Sequence, residues 1–92
     1  MNRITLTEYN GYFAAEETLI NLKPGTYEFS VTNEAGKTVG FQLQDRKNND
    51  DLQAFVLEVG ESKRFSVDVG EAGVRYRCPL NPTPWVDVEV SA

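Results

Sequence analysis

Tyr27-Glu28-Phe29-Ser30-Val31-Thr32 alternates large apolar side chains with polar ones. In an extended chain successive side chains point to opposite faces, so this stretch has one apolar face and one wet face. A helix would repeat its apolar positions every three or four residues, and that spacing is nearly absent throughout the chain. Lys23-Pro24-Gly25 precedes the stretch as a turn: Pro presets φ and Gly tolerates a positive one. Asn33-Glu34-Ala35-Gly36-Lys37 follows it as a loop.

The same alternation recurs in both directions. Ile4 and Leu6 carry it near the start, then Phe41 and Leu43, then Phe55, Leu57 and Val59. It returns in Phe65, Val67 and Val69, in Val74, Tyr76 and Cys78, and in Val86, Val88 and Val90. Tyr9-Asn10-Gly11-Tyr12 marks a turn or bend, and Thr18 to Leu22 a further short extended run. Gly60 and Gly70-Glu71-Ala72-Gly73 close two of the strands. Asp45 to Gln53 is polar and irregular, with room for one short helical turn near Asp51 to Ala54. The outcome is seven or eight short strands at about 8–12-residue spacing, the pattern of an all-β antiparallel sandwich or barrel. With no repeat, low-complexity tract or linker, residues 1–92 read as a single domain.

Ninety-two residues bury roughly 60% or more of their unfolded surface, enough for a modest core. Fourteen acidic against nine basic residues give a net charge of -5, which argues against nucleic acid and leaves a protein partner open. One cysteine excludes an internal disulfide and leaves the redox compartment undecided. Met1-Asn2-Arg3-Ile4-Thr5-Leu6 lacks the apolar run of a signal peptide, and no stretch approaches the about 18 apolar residues of a membrane span. The expected setting is the cytoplasm, or a mature periplasmic or extracellular domain whose leader has been removed.

Chemistry concentrates in Val74-Arg75-Tyr76-Arg77-Cys78-Pro79-Leu80-Asn81-Pro82-Thr83-Pro84-Trp85. Cys78 falls on the apolar face with Val74 and Tyr76, where a cysteine is either a small core residue or a thiolate ligand. The chain contains no histidine. No Ser/His/Asp or Cys/His arrangement can therefore exist, and the usual nitrogen donor for copper is missing. Asp45, Asn48, Asn49, Asp50 and Asp51 offer oxygen ligands without the spacing of an EF-hand loop, and read as a solvated loop. Glu16 and Glu17, like Asp87 and Glu89, read as solvent-facing charge.

Two segments together resemble the cupredoxin family. Leu22-Lys23-Pro24-Gly25-Thr26-Tyr27-Glu28-Phe29-Ser30-Val31-Thr32-Asn33 is similar to the stretch that precedes the first copper ligand there. Val74-Arg75-Tyr76-Arg77-Cys78-Pro79, with the loop and the Val86 to Val90 strand after it, is similar to the ligand loop and last strand of plastocyanins and amicyanins. The resemblance implies a Greek-key β-sandwich. It also implies a type 1 copper site of two His, one Cys and an axial Met, whose positions fall here at Val39 or Gly40, Asn81, Cys78, and Pro84 or Trp85. Cys78 alone keeps its ligand, so no cofactor and no metal are expected. Copper enters only in an alternative reading, an electron carrier using Cys78 with non-histidine ligands such as a carboxylate.

In that family the same end of the sandwich presents an apolar patch to redox partners. Its counterparts here are Leu80, Pro82 and Trp85, with Trp85 alternatively covering the core. The expectation is a non-catalytic, cupredoxin-like, protein-binding or structural module, with no small-molecule substrate indicated.

Overall fold

The computed structural model describes residues 2–10, 12–15, 22–80 and 84–90. They form eight strands: β1 (Asn2–Tyr9), β2 (Tyr12–Ala15), β3 (Gly25–Asn33), β4 (Val39–Asp45), β5 (Asp51–Leu57), β6 (Ser62–Val69), β7 (Val74–Arg77) and β8 (Val86–Val88). One sheet has the order β2-β1-β3-β6, the other β5-β4-β7-β8. The run Thr18 to Leu22 lies outside the described residues except for Leu22, which makes an isolated bridge to Val90. No helix among the described residues is long and apolar enough to cross a membrane.

The alternation becomes the core directly. Ile4 and Leu6 of β1 and Tyr27, Phe29 and Val31 of β3 point inward from the first sheet, and all five are buried. Val39, Phe41 and Leu43 of β4, with Val74 and Tyr76 of β7, answer from the second. Aromatic rings stitch the two layers together. Phe41 packs on Phe13 at 5.9 Å, on Phe65 at 6.0 Å, on Phe55 at 5.4 Å and on Tyr76 at 5.8 Å between ring centroids. These separations lie in the favourable range for aromatic pairs. Burial pushes the Tyr76 phenol up to about 12, since a phenolate in this apolar layer would lose its water.

Two features differ from the reading of the sequence. The sheets are mainly antiparallel, but β1 and β3 run parallel, with Ile4 opposite Phe29 and Leu6 opposite Val31. Strand β2 reverses on one flank of β1, and β3 returns on the other flank in the direction of β1. Alternation reports the face of a residue and carries no record of which strand lies alongside. The second difference is at Asp51 to Ala54, which is the start of β5 and not a helical turn. A register shift beside Leu43 and Gln44 sets Asp51 directly opposite Gln44. That irregularity broke the period-two pattern in the sequence.

Gly73 has φ +80°, and a Cβ there would run into the carbonyl oxygen of Val88. The close passage of β8 over this turn therefore requires a glycine.

Because Phe41 touches rings from both sheets, Phe41→Ala should cost about 3–5 kcal/mol in urea unfolding. A loss below about 1 kcal/mol would mean that the layers are not held at this point.

Candidate functional site

Strands β4 and β7 pair with Gln42 opposite Arg77 and Leu43 opposite Tyr76. Followed two residues beyond Gln42, this register brings Gly40 beside Pro79. A Cβ on Gly40 would stand 3.1 Å from two ring carbons of Pro79 and 3.3 Å from Leu80 Cγ. Positions far apart in sequence thus share one end of the sandwich. Val39 is fully buried opposite Leu57, and Cys78 is fully buried on the inner face. Pro84 is exposed. Asn81 and Pro82 lie outside the described residues, as do Glu16 and Glu17. The described donors here are the Cys78 thiol and the Glu8 carboxyl beside it, with no nitrogen ligand, so they do not fit type 1 copper. Among the described residues no three His, Cys, Asp or Glu side chains converge as a metal group.

One acidic side chain at this end is buried. Glu8 follows Ile4 and Leu6 on the inner face of β1 and is only 1% exposed. Its Oε1 has no hydrogen-bond partner among the described residues. Burial raises its pKa above the ordinary value, and a hydrogen bond from the Cys78 thiol partly offsets that rise. The inner-face alternation of Ile4 and Leu6, carried two residues further, was the available signal for Glu8. Asn33, opposite Glu8 in the β1–β3 register, is buried as well. Its amide donates to the carbonyls of Lys37 and Leu57, and its oxygen accepts from the Ala35 N–H, so its polar atoms are satisfied by the loop it anchors.

The outer face of the second sheet carries a different arrangement. Alternation turns Gln42, Gln44, Arg75 and Arg77 outward. Trp85 lies half-buried on this face, with the Arg75 guanidinium 4.0 Å and the Arg77 guanidinium 4.4 Å from its ring centroid. Arg75 donates twice to Gln44 Oε1, and Arg77 Nε donates to Gln42 Oε1. Both glutamines then donate to Asp51 Oδ1. These bonds from Gln44 and Gln42, with the charge of Arg77, hold the Asp51 carboxyl below its usual range. Trp85 is thus a cover for two arginines on the outside of the sheet, a place that neither sequence reading of it anticipated.

Next to this ladder lies an open groove of about 480 Å³. Gly40, Gln42, Val56, Arg77 and Leu80 are among the residues that line it. Leu80 is 56% and Val56 53% exposed, both high for aliphatic side chains. Leu80 and Trp85 therefore belong to one continuous surface, joined by Arg77.

The acidic loop is occupied with its own backbone. Asp45 accepts from the Lys47 N–H, Asn48 accepts from the Asp50 N–H, and Asn49 takes φ 61°. Such local bonds account for the polar run through turn chemistry.

The chain matches no protein-family model and no curated protein.

Removing the buried acid should change how stability depends on pH. Glu8 has a raised folded pKa, so its favourable contribution is full below about its ordinary 4.5 and is lost as pH rises toward the folded value. In urea titrations, Glu8→Gln should gain on the wild type as pH climbs from 4.5 to neutrality; a constant gap would show that Glu8 ionises normally. Trp85→Ala should leave the circular dichroism of the fold intact and cost about 1–2 kcal/mol, the scale of two partly exposed cation–π contacts. Loss of the folded state would place Trp85 in the core.

Proposed function

We propose that this chain is a non-catalytic cupredoxin-like domain without a type 1 copper site, acting as a protein-binding module through its Pro79 to Trp85 end. One observation carries the reading: Gly40 lies against Pro79 and Leu80, so the two segments that would supply copper ligands meet, and their described side chains are hydrocarbon apart from one thiol. The two-sheet architecture and the placement of Cys78 on the inner face support the same reading. The exposed Leu80 and the groove beside it support docking as the use of this end.

A second reading keeps the metal. Glu8 places a carboxyl group in hydrogen-bond contact with Cys78, which is the kind of oxygen donor that a copper carrier without histidine would need. Two donors of this type fall short of the two nitrogens and one sulfur that hold copper in a blue-copper centre, and the docking reading is therefore preferred.

Titration of the protein with Cu(II) should produce no intense visible thiolate-to-copper band and no stoichiometric rise in melting temperature. A strong visible band at one equivalent, abolished in Cys78→Ser, would replace the first reading with the second.

A further inference from the structure

Arg77 holds the groove and the Trp85 ladder together. Its guanidinium lies over the indole, 4.4 Å from the ring centroid. Its Nε is used by Gln42. Its two Nη groups make no hydrogen bond among the described residues, and no described carboxylate reaches Arg77 within ion-pair distance. Arg3 and Arg46, by contrast, have Glu28, Asp87 and Glu89 as partners. Asp51 feels the charge of Arg77, and its carboxylate is engaged by the amides of Gln42 and Gln44. Arg75 likewise meets no carboxylate at ion-pair distance among the described residues, and its Nε and one Nη donate to Gln44. In a chain of net charge -5, two guanidinium groups thus stand without a carboxylate at ion-pair distance among the described residues, although Asp51 feels the charge of Arg77. They stand beside an aliphatic groove.

We infer that the groove lined by Val56 and Leu80 receives an aliphatic side chain from an acidic segment of a partner protein, while the Nη groups of Arg77 receive a carboxylate of that segment. This rests on the docking reading above and adds the chemistry of the partner. A pre-oriented arginine fork suits a carboxylate, because two parallel N–H···O bonds form without reorganising the donor. Val56 on β5 and Leu80, both more than half exposed, supply the aliphatic lining that an incoming side chain would meet. Gly40 leaves room for Pro79 and Leu80 to pack against β4, and a larger residue at position 40 would press on both.

Three blocked pentapeptides test this, alternating leucine with glutamate, with glutamine or with lysine. Binding is followed by the fluorescence of Trp85, the single tryptophan of the chain, and by the amide shifts of Gly40 and Val56. The glutamate peptide should bind about tenfold more tightly than the glutamine peptide at low salt, with the lysine peptide weakest, and added salt should narrow the gap. Arg77→Gln should abolish the preference for glutamate while leaving circular dichroism unchanged. Arg77→Lys should restore only part of it, because the fork is lost. Leu80→Asp should remove binding of the glutamate and glutamine peptides. Equal binding of all three peptides, with loss in Leu80→Asp, would overturn the acidic partner and leave docking standing. No shift from any of them at millimolar concentration would overturn both. A dimer in sedimentation, dispersed by Leu80→Asp, would assign the groove to a second copy and overturn the inference.

Discussion

The pairing of β4 with β7 is the constraint on which both faces of the second sheet depend. Its register puts Phe41, Leu43, Val74 and Tyr76 on one side and Gln42, Gln44, Arg75 and Arg77 on the other. The inner set builds the aromatic layer against the first sheet. The outer set builds the ladder that ends in Trp85. A slip of β7 by one residue would turn that strand over, burying Arg75 and Arg77 and exposing Val74 and Tyr76. The core therefore fixes the register, and the register in turn lines up the outer polar groups.

Energetically the two faces are unequal. The rings of Phe41 and Tyr76 leave water entirely or nearly so, with Phe55 and Phe65 partly buried against them, and burial of this kind is the main source of stability in a domain of this size. The outer ladder consists of partly exposed hydrogen bonds and stacked guanidinium groups, each worth about 1 kcal/mol or less. Its contribution is one of order: Trp85 and the glutamines hold the arginines in fixed directions, removing much of the freedom that long side chains lose on meeting a partner.

Much of the architecture was legible in period-two alternation. Tyr27 to Thr32 and Phe41 to Leu43 appear as strands with the apolar side inward. The parallel neighbourhood of β1 and β3 was not legible, because alternation is blind to pairing. Glu8 escaped notice since a charged residue ends an apolar pattern to the eye, even where the strand continues. Asn33 was taken for loop and is the last buried residue of β3. For the surface, Leu80 and Trp85 stood out by residue type alone. The groove between Gly40 and Leu80 could not, because it is made by strands more than thirty residues apart in the chain. Arg75 and Arg77 were visible as outward residues, but their stacking on Trp85 depends on where β8 enters the sheet.

Cys78 has a use that follows from its depth. Its side chain is wholly shielded, and it is the sole sulfhydryl of the chain. A bulky alkylating reagent can reach it only when the end of β7 parts from its neighbours. The rate of modification therefore counts those openings one molecule at a time, giving the domain an intrinsic stopwatch for local unfolding without any engineered label.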